Sequence, residues 1–397
     1  MFINQILDGL KSIHKPQRKF LEVFFATMFV CQAAINFSAL ARHSRMNEKT
    51  FRRNFRKEVD FVEINESIIN ESECQIEAFA MDASFIKKSG KKTYGIDKFW
   101  NGCHARAEKG LEASIISLID SRQNASFALS VAQTAPQLAT NESQTGGTTR
   151  IDFYAEQLEK IAPSILKYTR QGVFDGYYAK RKFVEKTVGL GFQIISRLRL
   201  DANLKYLYEG EQKRRGARRK YDGKVDFSDL SRLAAETLLI DGKPIELFSG
   251  LVFSPGLKRV IKLVVVKYQK RRVNLFSTAV ELSAEQVLRL YRSRFTIEFL
   301  IRDAKQSAGL ETCEARDNKA LEFHWNAALS TVNFARGIAK AVAVGEAGKP
   351  FSMKSIKQRF FNEYLLDMFI SNLGLEPSLI KYKDSYEKLR SFAVIWT

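Results

Sequence analysis

Tyr291, Arg294, Glu298 and Lys305 are the residue types that phosphate chemistry uses, gathered in one stretch, Tyr291-Arg-Ser-Arg-Phe-Thr-Ile-Glu-Phe-Leu-Ile-Arg-Asp-Ala-Lys305. On a helix of roughly 100° per residue they fall within an arc of about 60°, and Arg302 joins them. A carboxylate offers oxygen to a hard divalent cation. A guanidinium grips phosphate oxygens through a planar fork, and an ammonium adds a compact charge. One acid among cations on a single face therefore suits a metal ligand beside a phosphate clamp. A solvated ladder of i,i+4 charges on an ordinary amphipathic helix would use the same spacing. The helix is expected because Ser283-Ala-Glu-Gln286 places an N-cap and an acidic first turn just upstream. Leu290, Ile297, Ile301, Ala304 and Ala308 form the adjoining apolar stripe, which should dock on a core and hold the polar face at its rim.

The spacing Tyr291-x2-Arg294-x3-Glu298-x6-Lys305 resembles the Y-R-E-K signature of bacterial insertion-sequence transposases with an Asp-Asp-Glu (DDE) site, and all four positions match. The resemblance implies an RNase H-like catalytic domain in which Glu298 is the third catalytic acid. It also implies two upstream aspartates, the first within a strand and the second at a strand end. The three acids would hold two Mg2+ ions, for which Mn2+ can substitute. Tyr291, Arg294, Arg302 and Lys305 would then face the DNA.

Candidates for both aspartates are present. Gln75-Ile-Glu-Ala-Phe-Ala-Met-Asp-Ala-Ser-Phe85 reads as a strand in which Phe79, Met81, Ala83 and Phe85 alternate with Ala78, Ala80, Asp82 and Ser84. Both faces are apolar from Ala78 on, apart from Asp82 and Ser84, so the strand is central and carries one buried acid. An unpaired buried carboxylate is costly, so Asp82 needs a metal, a cation or a proton. Gly172-Val-Phe-Asp175-Gly176 has the form of a short buried strand ending in an acid. Asp175 could equally cap the helix expected over Tyr178 to Val188, but its order and placement match the second aspartate. Further strands are expected from His104 to Asp120, broken near Glu108-Lys-Gly110, from Ala125 to Gln133 and from Phe192 to Leu198. A helix over Ile151 to Ile161 should end near Pro163. The rival acids Asp97 and Asp120 fall at loop or strand ends, and Glu311 falls near the helix end expected at Gly309.

Composition bounds the partner. Lys and Arg number 63 against 44 Asp and Glu, a net charge of +19, which calls for a polyanion: nucleic acid first, an anionic membrane surface second. A chain of 397 residues with 45% hydrophobic content is globular, not disordered. Cys31, Cys74, Cys103 and Cys313 show no C-x-x-C or disulfide-like spacing, in keeping with reduced thiols and a cytoplasmic protein, at the nucleoid when it acts. The one membrane-like stretch, Phe20 to Leu40, is interrupted by Glu22, Gln32 and Asn36 and reads as a buried helix.

The expected fold class is α/β. An RNase H-like catalytic domain would span residues 71–200 and 281–345, with a β-rich subdomain inserted at 201–280. An all-helical N-terminal DNA-binding domain would occupy residues 1–70 and a helical region residues 346–397. Phe37 to Lys57 resembles a helix-turn-helix, with Lys49, Arg52, Arg53, Arg56 and Lys57 on its second helix. The insertion carries six cations in Lys213-Arg-Arg-Gly-Ala-Arg-Arg-Lys220 and seven, without an acid, from Lys258 to Arg272. Arg214, Arg215, Arg218, Arg219, Lys270, Arg271 and Arg272 are thus candidates for the DNA backbone, or for a solvated face. The resembled family can stack a displaced base on an aromatic of the insertion, sometimes Trp. Trp100, Trp325 and Trp396 lie outside it, leaving Phe253, Tyr268 or Phe276. The expected activity is cutting at the ends of an insertion sequence and joining them to target DNA. The substrate would be double-stranded DNA bearing terminal inverted repeats, and the protein a homodimer once assembled on it. A nuclease of the same fold without strand transfer and a non-catalytic DNA-binding relic are the alternatives.

Overall fold

The computed structural model describes residues 2–139, 147–240, 242–269, 271–342, 351–381 and 383–394. The chain opens with helices α1 (Phe2–Asp8), α2 (Lys15–Val30), α3 (Phe37–Arg42), α4 (Glu48–Asn54) and α5 (Phe61–Glu71), as the composition of this part predicts. The membrane-like stretch is not one helix: its first half is the buried part of α2, which ends at Val30, and the rest runs through a non-helical segment into α3. Phe20, Phe24, Phe25 and Phe29 are all buried, and Phe24 meets Phe55 edge-on at 5.5 Å. No described helix is long and apolar enough to cross a membrane.

A mixed sheet follows, built from β1 (Ile76–Lys87), β2 (Asp97–Asn101), β3 (Arg106–Asp120), β4 (Ala125–Gln133), β5 (Gln171–Val173) and β6 (Gln193–Leu198). Its order here is β4-β3-β1-β5-β6, with β4, β3 and β1 antiparallel and β1, β5 and β6 parallel. The strands of the expected insertion do not form a sheet of their own. β12 (Arg271–Ser277) pairs with β6, and the sheet runs on through β11 (Arg259–Tyr268) and β10 (Lys243–Ser254) to β7 (Lys205–Leu207) and β8 (Tyr221–Lys224). β9 (Ala234–Ile240) also pairs with β10.

Three local expectations are corrected. β3 does not break at Glu108-Lys-Gly110: Gly110 pairs with Asp97 of β2 and with Lys87 of β1. A Cβ there would meet the Ile86 carbonyl at 2.6 Å, so this glycine serves a close crossing of strands. α6 (Arg150–Ile165) runs through Pro163, because only its last turn lies beyond the lost N–H. α7 (Arg181–Gly189) starts three residues later than Tyr178, because Gly176–Tyr178 form a separate 3-10 turn capped by Asp175.

Alternation on β1 sorts the core into two layers. Phe79 and Met81 face α6 and α7, alongside Leu158, Phe174 and Phe183. Ala78 and Ala80 face the opposite layer, which holds α8 (Ala284–Ser293), α9 (Thr296–Ser307) and α10 (Asn318–Val342). Small side chains on this face let a helix come close. The outer edge of β4 is then met by α10. Asn333 accepts from the Ala128 N–H at 2.9 Å and donates to its carbonyl at 2.8 Å, and Asn326 does the same at Val131. Between these residues the β3–β4 register slips at Leu129, whose carbonyl takes a bond from Asn65. Two asparagines seven residues apart thus act as a substitute strand for an edge that would otherwise be left open in the core.

Asn333→Leu would leave the Ala128 backbone groups and the Asn65 Oδ1 unpaired in the interior. It should lower the unfolding free energy by about 2–4 kcal/mol, read from urea midpoints with the slope unchanged. A shift below about 0.5 kcal/mol would show that water satisfies this edge.

Candidate active site

The stretch from Tyr291 to Lys305 is two helices, not one. α8 opens with the N-cap expected at Ser283, which Gln286 completes as a capping box, and α9 begins at Thr296. Between them the N–H groups of Arg294, Phe295, Ile297 and Glu298 each bond three residues back, a short tightened segment. Its cause lies in the hydroxyls: Ser293 donates to the Leu290 carbonyl and Thr296 to the Ser293 carbonyl, both at 2.7 Å. Thr296 Oγ1 also meets Ser126 Oγ of β4 at 2.7 Å, which pins the joint to the sheet. The splice carries Arg294, and the expected apolar stripe (Leu290, Ile297, Ile301, Ala304, Ala308) is buried on both sides of it.

Asp82 lies mid-strand on β1, on the face that receives α9. Its Oδ1 accepts from the Ala83 N–H at 2.8 Å. Burial first, and then the charge of Asp175, push its carboxyl up to about 7; Arg294 pulls the other way and Glu298 adds a smaller push. These four charges therefore share one field. Asp175 follows β5 and caps the 3-10 turn, accepting from the Tyr177 N–H at 2.8 Å. It thus stands two residues beyond a strand parallel to β1, as expected, but it caps the 3-10 turn and not the helix, whose N-cap is Lys180. Arg294 donates to Glu298 Oε1 at 2.9 Å, and its side chain is only 16% exposed against 40% for Glu298. Burial alone would weaken the Arg294 charge; the bond to Glu298 and the charges of Tyr291, Asp82 and Glu298 outweigh it and raise its pKa. Burial raises the Tyr291 phenol, with Arg294 and Arg197 opposing and Asp175 adding to the rise.

Arg197 was not anticipated, although the register contains it. Val173 of β5 pairs with Ile195 of β6, so two residues on, Asp175 and Arg197 lie abreast. The Arg197 side chain lies beside Gly176, next to Asp175. The signal was the cation within the short strand β6. Arg197 also lines a cleft of about 700 Å³ whose wall includes Gly176, Lys180, Arg181 and Arg199.

The remaining predicted residues separate. Lys305 donates to the Phe85 carbonyl at 2.8 Å and pairs with Glu311 at 2.6 Å, so Glu311 acts as its counter-ion. Arg302 stacks on the Phe299 ring at 4.8 Å on the exposed side of α9. Asp97 and Asp120 accept backbone N–H groups in turns. Arg52 and Arg53 are exposed on α4 and, with Lys49 and Arg56, line a groove between α4 and the start of α10; Arg52 pairs with Glu48 at 2.5 Å. Arg214, Arg215, Arg218 and Arg271 are exposed, while Arg219 stacks on Tyr208 and pairs with Asp222. Arg272 is spent on the Phe227 and Leu200 carbonyls. Lys270 lies outside the described residues. Phe276 is fully buried in β12 and offers no face to a base; Phe253 packs on Tyr221.

Asp82, Asp175 and Glu298 offer only oxygen donors, as a hard divalent cation requires. Among the described residues, however, no group of three acidic, imidazole or thiol side chains stands ready to hold a metal ion. Glu298 is engaged by Arg294 instead.

Acids and cations from β1, from just beyond β5 and from the α8–α9 splice thus meet in a strongly basic chain. Compared with known protein families, residues 2–320 match the archaeal ISC1217 transposase family. The chain belongs to that family: it is an insertion-sequence transposase, and its substrate is DNA. No match was found among curated proteins.

The raised Asp82 carboxyl fixes the sign of a pH effect. An acid whose folded pKa lies above its ordinary value penalises the fold once it must ionise, from about pH 4 upward and fully above about pH 7. Asp82→Asn should therefore be stabler than the parent at pH 8, by roughly 1–3 kcal/mol, and equal to it near pH 4. A difference that grows toward acid pH would mean that Arg294 holds Asp82 ionised with a net gain.

Proposed function

We propose that the protein cuts DNA at the ends of its element and joins them to target DNA, with Asp82, Asp175 and Glu298 as the acids of a two-metal site. The observation that carries this reading is the meeting of Asp82, Asp175, Arg294 and Glu298, which lie far apart in the chain, in a single electrostatic field. The sheet order β4-β3-β1-β5-β6, with an acid mid-strand on β1 and another after β5, supports an RNase H-like catalytic core.

Two Mg2+ or Mn2+ ions, when bound, would supply an activated hydroxyl, a stabilised leaving oxygen and neutralisation of the phosphorane charge. Asp82 and Asp175 would hold them from the sheet and Glu298 from α9. Arg294 binds Glu298 in the DNA-free protein; a phosphate is a better match for its fork, and taking it would release Glu298 toward the two aspartates. Tyr291 and Arg197 would flank the same phosphate, whereas Lys305, held by the Phe85 carbonyl and Glu311, would have to leave them to reach DNA. Hydrolysis and strand transfer are both in-line attacks on phosphorus, so one site can run both. Two copies would assemble on the paired ends, with α4 and the 213–220 loop on the duplex backbone.

Asp82→Asn, Asp175→Asn and Glu298→Gln should each lower Mg2+-dependent cleavage of an end-bearing duplex by 10³-fold or more, on the order of a lost metal site, while end binding in a gel-shift assay persists. Near-parental cutting by Glu298→Gln would remove Glu298 from the site.

Replacing Arg214, Arg215 and Arg218 together by Ala should weaken binding to all DNA sequences alike. Its log–log salt dependence should flatten by roughly 0.9 for each phosphate that is no longer neutralised. An unchanged slope would place these arginines in solvent.

A further inference from the structure

β2 and the first residues of β3 leave the body of the sheet as a two-stranded ribbon. β1 pairs with β3 only as far back as Gly110, so Lys98, Phe99, Trp100 and Asn101 of β2 have Lys109, Glu108, Ala107 and Arg106 to themselves. At roughly 3.4 Å per residue the ribbon projects about 14 Å. One of its faces is packed and neutral. Phe99 is fully buried there, and the Arg150 guanidinium stacks on its ring at 4.8 Å while donating to the Lys98 carbonyl at 2.7 Å. Glu108 on this face pairs with Arg106 at 2.7 Å and with His104 at 3.0 Å. The other face is bare. It carries Lys98, Lys109, Ala107 and Trp100, all exposed, Trp100 by 58%. Lys98 stands directly opposite Lys109, a like-charge pair that works against the ribbon. Neither lysine forms an ion pair among the described residues. Alternation along β3 puts this bare face on the side of Ile115, the partner of Asp82 on β1. It therefore looks the same way as Asp82, roughly 26 Å away along the strand.

We infer that the bare face of this ribbon is a duplex-DNA contact, seated in the major groove, with Lys98 and Lys109 on phosphates and the Trp100 indole against base edges. A polyanion is the partner that turns an opposed pair of lysines from a cost into a gain. Two strands about 4.8 Å apart enter a major groove about 12 Å wide, which favours a duplex over a single strand. A single exposed apolar side chain needs no explanation. Trp100 differs because it stands beside two uncompensated lysines on a ribbon whose other face is anchored to α6. The distance to Asp82 corresponds to about eight base pairs at 3.4 Å each. A duplex with its cut phosphate at the acids would thus pass over the ribbon. That spacing rests on the proposed role of Asp82, whereas the contact itself requires no cutting.

The test is binding of the full chain, without Mg2+, to a fluorescein-labelled mixed-sequence duplex of about 40 base pairs across a salt series. Lys98→Gln with Lys109→Gln should weaken binding and flatten the log–log salt dependence by about 1.8, for two phosphates at roughly 0.9 each. The thermal midpoint of that variant should stay equal or rise, because the like-charge pair is gone. Trp100→Ala should weaken binding roughly 5-fold or more with the slope unchanged, and Trp100→Phe should recover part of the loss. A duplex whose cytosines carry glucosylated hydroxymethyl groups, which fill the major groove, should cost the parent more affinity than it costs Trp100→Ala. An unchanged salt slope in the lysine variant, or parental affinity in Trp100→Ala, overturns the inference. Equal penalties on the glucosylated duplex overturn the major-groove placement, and a loss seen on single-stranded DNA alone overturns the duplex. Parental duplex binding with lost binding to phosphatidylserine vesicles would assign the face to a membrane instead. No metal and no cutting enter these measurements, so the inference can fail while the reading of the three acids stands, and the reverse also holds.

Discussion

A carboxylate on the central strand of a sheet is tolerated only when the neighbouring elements answer its charge, and Asp82 sets that demand for the whole molecule. Burial and the nearby Asp175 make its ionised form unfavourable, and Arg294 is the group that offsets them. Arg294 reaches this position because it sits at the joint between α8 and α9, where the chain tightens for a few residues and the side chain is carried inward. The small residues of β1, Ala78 and Ala80, allow the helix to approach. The site is therefore a charge balance held by packing, in which Asp82 comes from the sheet, Asp175 from just beyond it, and Arg294 and Glu298 from the helical layer.

That balance requires the sheet and the helical layer to keep their register. α10 provides it by bonding the backbone of β4 through Asn326 and Asn333, and α9 adds the Thr296–Ser126 contact. Such bonds specify alignment more than they add stability, because each replaces a bond to water, yet breaking one strands its partner in the interior. The resting pair of Arg294 with Glu298 fits the same view. A cation that balances the acids before DNA arrives is also the group best suited to take a phosphate afterwards.

Much of this was legible along the chain. The alternation around Asp82, the short strand before Asp175, the cap at Ser283 and the fifteen-residue signature are all local patterns, and local patterns survive folding. The apolar stripe from Leu290 to Ala308 correctly foretold which side of α9 is buried. The break between α8 and α9 was missed because periodicity averages over turns, whereas two hydroxyls bonding to nearby carbonyls act on single residues. Gly110 read as a strand breaker because a glycine that ends a strand and one that lets strands cross look alike without the partner strand. Phe276 looked available because burial in a sheet depends on the layer that covers it.

By itself, then, the sequence determined the residue types, their helical or strand phase and the basic excess that points to DNA. These depend on side-chain chemistry and on neighbours a few residues apart. Only the tertiary structure decided that Arg197 stands abreast of Asp175, that Glu311 is the counter-ion of Lys305 and that Glu298 rests on Arg294. It also decided that the strands after β6 extend one sheet. Each is a pairing between segments whose separation in sequence carries no distance information, settled by strand register and by which faces can be buried together.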